Sequence, residues 1–227
     1  MELFAADRTG KPDYALYTGG GRIIHELTSR TYLQPATLMG QFIQQTMNGI
    51  KSLFQKPVPI GEEEKKDVEQ REEEEEEEKT ERENEFSTRE EIDGRVSPIS
   101  AISPSSNRGQ CWPMKGDSGK IGIKLSEVII PTSFSIEHIP KSIATSMNSA
   151  PKMIEVYALN STDYSISQKV ASYIYKINGP SVQTFEIHEP VFPCDTIQFK
   201  ILENYGNPFY TCIYRLRVHG NPPTESS

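Results

Sequence analysis

The sequence has no run of about 18 apolar residues, the length that a membrane-spanning helix needs. Its first residues, "MELFAADRTGKPDYAL", lack the apolar core of a signal peptide. Cysteine is scarce: Cys111, Cys194 and Cys212 permit at most one intramolecular disulfide and leave one thiol over. None of the three has the C-x-x-C spacing of a zinc or redox site. The four histidines are scattered, which gives a metal cluster little support. Neither a G-x-S-x-G elbow nor an H-E-x-x-H helix is present. The glycine run "TGGGR" (18–22) is not a phosphate loop and reads as a tight bend or bulge where backbone comes close. There is one tryptophan, Trp112, and it is followed by proline.

Acidic charge, by contrast, is concentrated. Residues 62–93 hold 18 Asp and Glu against 6 Lys and Arg, a local charge of −12. Taking this from the formal −8 of the whole chain leaves +4, so the rest of the protein is mildly basic and the sequence pI of about 5.2 describes an insert. Such a run cannot bury enough apolar surface to offset its ordering entropy and is expected to be disordered, the alternative being a solvated single helix. Elsewhere Asp and Glu are scattered over alternating strand positions and read as solvated, so a hydrolase built on paired carboxylates has little support and the chain is read as non-enzymatic.

Hydrophobic periodicity changes along the chain. Leu38, Met39, Phe42, Ile43, Met47, Ile50 and Phe54 fall near i, i+3, i+4 spacing and predict an amphipathic helix over 35–54, packed on the domain or acting as a flap. From about residue 119 the period becomes two: Ile121, Ile123 and Leu125; Thr132, Phe134 and Ile136; Ile197, Phe199 and Ile201. With "MIEVYAL", "KVASYIYKI", "SVQTFEI" and "CIYRLRV" these give seven or eight short strands between Pro, Gly, Asn and Ser punctuation. The fold class is therefore all-β, an antiparallel sandwich or jelly roll with an N-terminal helical segment and a disordered acidic insert. The divisions are 1–34, the first part of the domain; 35–97, the helix and insert; 98–222, the sandwich core; and 223–227, a disordered tail.

In the order and spacing of "CWPMKGDSGKIGIKLSEVIIPTSFSIEHIPKS", "NSAPKMIEVYAL", "VQTFEI" and "NPFYTCIYRLRVHG", the chain closely resembles the SUN domain of inner-nuclear-membrane proteins. "PDYALYTGGGRII" and "TSRTYL" (within 12–33) resemble that domain's beginning, and "GQCW" with the long insert is more similar to fungal members. The resemblance implies a galactose-binding-like sandwich that trimerises and binds the C-terminal tail of a KASH protein in the perinuclear space. The two form a LINC complex that couples nucleus to cytoskeleton, with nuclear positioning, spindle-pole-body and telomere attachment among the roles of fungal relatives. The domain then lies in the lumen of the nuclear envelope, without direct contact to nucleic acid. The family's upstream coiled coil and transmembrane helix are not in this sequence, so the chain reads as an isolated domain or an incomplete product.

By the same resemblance, His138, Ser149, Tyr210 and Tyr214 match the residues of the tail pocket. A chain end brings a carboxylate, which hydroxyl and imidazole donors hold while aromatic rings pack on the penultimate side chains. Cys111 and Cys212 match a conserved disulfide. Backbone carbonyls of Ser100, Ser103, Ser105, Gln110 and Tyr214 match a loop that holds a monovalent cation such as K+, with no other cofactor implied. Thr28 stands where animal members carry a cysteine that bonds covalently to the tail, so tail binding is expected to be noncovalent. The KASH lid, a hairpin supplied by a neighbouring protomer, is expected to be helical, displaced or supplied differently here. Asn160 opens the sequon "NST", a glycosylation candidate in a lumen. The competing reading is a carbohydrate-binding sandwich, which needs exposed aromatic platforms; Trp112, beside the expected disulfide, is expected to be buried instead.

Overall fold

A computed structural model describes residues 9–33, 96–104, 107–160, 163–164 and 167–223. Residues 9–32 and 96–223 belong to one compact unit. The expected helix over 35–54, the acidic run and the lid region fall outside the described residues, as does the 224–227 tail.

The described residues form nine strands: β1 (Arg22–Ile24), β2 (Trp112–Lys115), β3 (Gly119–Glu137), β4 (Pro151–Leu159), β5 (Ser167–Ile174), β6 (Val182–Glu186), β7 (Cys194–Asn204), β8 (Tyr210–Ile213) and β9 (Arg215–Asn221). All pairings are antiparallel. The first half of β3 lies in the order β1-β3-β7-β4-β5, and its second half runs between β6 and β9. The two runs around Ile123 and Phe134, expected as separate strands, are thus one strand of 19 residues. A bulge between Lys124 and Ile129 bends the strand from one sheet into the other. Pro131, which cannot donate to a ladder, sits at a second irregularity.

The expected period-two positions are the core, except Thr132, which is half-buried. Ile121, Ile123, Leu125, Phe134 and Ile136 from β3, Ile154, Val156 and Ala158 from β4, and Ile197, Phe199 and Ile201 from β7 are all buried. They meet Leu216 and Val218 of β9 in one cluster, with the Phe134 and Phe199 rings edge-on at 5.6 Å. An antiparallel β-sandwich results, as the alternation predicted.

Burial on both faces is what the alternation did not predict. Every residue of β9 except the last is buried, so Arg215, Arg217 and His219 are covered as completely as Leu216 and Val218. The cover is the N-terminal segment. Tyr14 N–H donates to the Val218 carbonyl at 2.9 Å, and Lys11 bonds Ser133 Oγ at 3.0 Å. Asp13, read from sequence with the other acids as solvated, is fully buried. Its carboxylate is matched there by Arg215 and by two backbone N–H groups, which is what allows a charge to leave water. The "TGGGR" run is the tight bend expected: Gly20 has φ +116, and a Cβ at Gly21 would lie 2.1 Å from the Ala15 carbonyl oxygen.

Candidate functional site

The run "YTCIYRLRVHG" is continuous in sequence but serves two sheets. β8 pairs with β2, β9 pairs with β3, and Tyr214 is the single residue at the break. Released from a ladder position, its ring turns onto the end of β3. It stands edge-on to the His138 imidazole, centroids 4.7 Å apart and planes 72° apart.

Beside this pair Cys111 and Cys212 are joined in a disulfide with Cα atoms 5.4 Å apart, as the resemblance implied. Pro113 opposes Cys212 in the β2–β8 ribbon, which sets Cys111 next to the closing strand. The disulfide, Ile139 and Tyr214 form a buried apolar cluster separate from the main core, with Ala144 and Tyr210 packed against it. Ser149 is buried, and its carbonyl accepts the Cys212 N–H at 2.8 Å. All four residues expected at the tail pocket therefore converge on this disulfide, from the end of β3 (His138), the turn before β4 (Ser149), the start of β8 (Tyr210) and the β8–β9 break (Tyr214).

His138 is 2% exposed. Its Nδ1 lies 3.2 Å from the Ile139 carbonyl, while Nε2 has no hydrogen-bond partner. Burial holds the imidazole below its ordinary pKa of 6.5, against an upward pull from the Ile139 bond. Tyr175 flanks the ring at 6.3 Å and donates to the Ser181 carbonyl; burial pushes its phenol up to about 12.

Three aromatic residues at the site were not assigned a role in the sequence. Tyr175 is one. Tyr32 stacks on Tyr210 at 5.2 Å, and Phe209, 63% exposed, lies 6.5 Å from the Tyr32 ring. Residues 30–32 run along β2, with Tyr32 N–H on the Pro113 carbonyl and Lys115 N–H on the Arg30 carbonyl. Adjacent aromatics in "NPFY" and the Tyr of "TSRTYL" were visible, but nothing local says that residues about 180 apart stack. Trp112, in contrast, is fully buried with its indole N–H on Thr31 Oγ1 at 2.9 Å, and presents no platform to a sugar.

The expected cation loop is placed beside Tyr214. Gly109 N–H donates to Tyr214 Oη at 3.2 Å, and the Arg215 guanidinium donates to the Pro104 carbonyl at 2.9 Å. Ser100 and Ser103 belong to the 3-10 turn Pro98–Ile102 and its cap, where Ser103 N–H takes the Ser100 carbonyl; Gln110 N–H closes a turn onto Asn107, and Ser105 lies outside the described residues. Among the described residues no three His, Cys, Asp or Glu side chains gather as metal ligands. Thr28 is engaged internally, its hydroxyl donating to the Ile24 carbonyl and accepting from Gly122 N–H. Asn160 is exposed at the end of β4, and the two residues completing its sequon are outside the described ones. No helix among the described residues is long and apolar enough to cross a membrane.

Comparison with known proteins matches residues 94–222 to the family described as Sad1 / UNC-like C-terminal. The chain is 32% identical over 228 residues to SUN domain-containing protein 1 of Homo sapiens, covering 98% of this chain and 23% of that protein. It is 30% identical over 221 residues to the nuclear migration and anchoring protein unc-84 of Caenorhabditis elegans, covering 96% of this chain and 16% of that protein. The chain thus spans less than a quarter of the length of either relative. Among solved structures, a carbohydrate-binding module of a family 31 glycoside hydrolase from Clostridium perfringens aligns with a TM-score of 0.46 at 14% identity, covering 56% of this chain and 83% of the other. With the family's Cys-Trp, E-H-I-P-K, S-A-P-K and Y-T-C-x-Y-R motifs gathered around one disulfide, the chain belongs to the Sad1/UNC-like family of SUN domains.

Proposed function

We propose that this domain binds the C-terminal tail of a KASH protein in the lumen of the nuclear envelope, as the non-catalytic, force-bearing half of a LINC complex. The observation that carries this reading is the convergence of His138, Ser149, Tyr210 and Tyr214 on the Cys111–Cys212 disulfide. A buried imidazole whose Nε2 has no partner among the described residues, aromatic faces and a serine within one small region offer polar contacts to a chain end and apolar surface to the residues before it. The disulfide ties β8, which begins at Tyr210 and leads into Tyr214, to the residue just before β2, a covalent brace suited to a module under tension.

Three further assignments belong to this reading. In this reading the backbone carbonyls of Ser100, Ser103, Ser105, Gln110 and Tyr214 would hold a monovalent cation such as K+, with the Gly109 N–H bond to the Tyr214 phenol oxygen tying the loop to that residue. Bound there, the ion would fix the loop's carbonyls and leave the tail contacts to the side chains named. Thr28 offers no thiol, so the complex is noncovalent. The assembled protein is a homotrimer through segments upstream of this domain.

The test is isothermal titration of the oxidised chain with a synthetic KASH tail peptide, beside Tyr210→Ala, Tyr214→Ala and Ser149→Ala. Saturable binding that these variants lose while remaining folded by circular dichroism, and that truncating the peptide's last residues abolishes, is the expected result. Binding indifferent to that truncation refutes the reading.

A further inference from the structure

The two nitrogens of the His138 ring stand in different surroundings. Nδ1 lies 3.2 Å from the Ile139 carbonyl oxygen, which can only accept, so Nδ1 holds the hydrogen. In the neutral ring Nε2 is then a lone pair. It is buried without a partner, in a residue 2% exposed. A carboxylate brought to Nε2 would set lone pair against lone pair in a dry site, an arrangement that costs free energy instead of gaining it.

Among the described residues no neighbour donates a proton to Nε2 in the free protein. Two phenols face the ring: Tyr175, after the end of β5, and Tyr214, at the β8–β9 break. Tyr175 already donates to the Ser181 carbonyl; the Tyr214 oxygen accepts from Gly109 N–H and keeps its own hydrogen, which like that of Ser149 can donate to a carboxylate but leaves Nε2 a lone pair. The neighbouring sulfurs, of Cys111 just before β2 and of Cys212 in β8, are joined as the disulfide and do not titrate. Glu137, preceding His138 on β3, is paired with Arg217 of β9, and Arg215 of β9 is paired with Asp13. The base available to a buried anion is His138 itself.

We propose that a chain-terminal carboxylate seated at His138 Nε2 enters together with one proton from solvent, so that tail binding converts His138 to the imidazolium and is proton-coupled. This rests on the tail-binding reading above. The proton adds to Nε2; Nδ1–H stays on the Ile139 carbonyl, Nε2–H donates to a carboxylate oxygen, and no other bond changes. The buried pair is then neutral overall and hydrogen-bonded at both nitrogens, the condition under which burying charge is tolerated. Burial keeps the ring neutral in the free protein near neutral pH, so uptake there approaches one proton per tail. Affinity consequently rises as pH falls, by up to about tenfold per pH unit, between the imidazole pKa of the complex and the lower pKa of the free protein, and levels off below that.

The experiment is calorimetric titration of the oxidised full chain with a KASH tail peptide at about pH 7.5, above the ordinary imidazole range, in two buffers of different ionisation enthalpy. The same peptide with an amidated C-terminus runs alongside. The carboxylate form is expected to show buffer-dependent heat equivalent to uptake of close to one proton. The amide, whose NH2 donates directly to the Nε2 lone pair, shows none, and His138→Gln removes the uptake for the carboxylate form. Saturable binding of the carboxylate form without buffer dependence overturns the proposal and leaves tail binding standing, and so does uptake that amidation does not change. Absence of binding by both peptides overturns tail binding itself, and this inference with it.

Discussion

Arg215 and Asp13 lie 202 residues apart in sequence and form an ion pair of 3.1 Å whose side chains are 2% and 0% exposed. The same carboxylate accepts from Ala15 N–H and Val218 N–H, and the same guanidinium reaches the Pro104 carbonyl. One pair thus fastens the N-terminal segment, the loop before Cys111 and β9 together. Asp13→Ala leaves a guanidinium buried without its counter-charge and removes the acceptor of two backbone donors, which costs about 3–5 kcal/mol. Urea unfolding of the single variant should show that loss. A double Asp13→Leu, Arg215→Met variant should recover a large part of it, because two apolar side chains need no desolvation of charge. A single-variant loss below about 1 kcal/mol would mean that the pair is solvated in solution.

The disulfide acts on the unfolded chain more than on the folded one. Cys111 and Cys212 are separated by 101 residues, and a cross-link closing a loop of that size restricts the denatured ensemble by about 4 kcal/mol. Cys111→Ala/Cys212→Ala should therefore unfold at a markedly lower denaturant concentration than the oxidised protein. Addition of reductant should shift the wild type toward the variant and leave the variant unchanged.

Cys194 opens β7 and is the free cysteine among the described residues; it is buried, and burial pushes its thiol up to about 12. A thiol held that high is not a nucleophile near neutral pH. Iodoacetamide should leave the folded, oxidised chain unmodified, add one label after denaturation without reductant, and add three after denaturation with reductant, matching the three cysteines of the sequence. Mass spectrometry distinguishes these states. A label on the folded chain would show that Cys194 is accessible or that the disulfide is incomplete.

Legibility in the sequence followed the range of the interactions. Ile121, Ile123, Phe199 and Ile201 could be placed in the core because a period of two is a local property of the chain. The merging of two predicted strands into β3 was missed because the period-two alternation lapses across Ser126-Glu127-Val128, while the bulge that carries the strand through depends on pairing with β7. The buried role of Asp13 and Arg215 was illegible for a stronger reason: a charge is buried only where its partner is, and that partner lies at the other end of the chain. Within the site, His138, Ser149, Tyr210 and Tyr214 were found through family resemblance, since no spacing rule joins residues 138 and 214. Tyr32 and Tyr175 lacked even that signal.

Two buried histidines should make the fold sensitive to acid. Burial lowers the pKa of His138 and of His219 from the ordinary 6.5. His219 Nδ1 donates to the Pro12 carbonyl at 2.7 Å, and its Nε2 accepts from Ser135 Oγ at 2.8 Å, so it too is held neutral with its hydrogen on Nδ1. In the unfolded chain both rings titrate near 6.5, and in the folded chain they do so lower. Between those values the unfolded state binds more protons, and stability falls as pH falls. Their contribution is complete above about pH 6.5 and is lost as the pH drops from there through the folded values. Urea midpoints taken from pH 7.5 down to about 5 should decline on this schedule. His219→Gln, which cannot take up a proton, should be less stable at pH 7.5 yet show a shallower decline. A His219→Gln profile parallel to the wild type would place the acid sensitivity elsewhere.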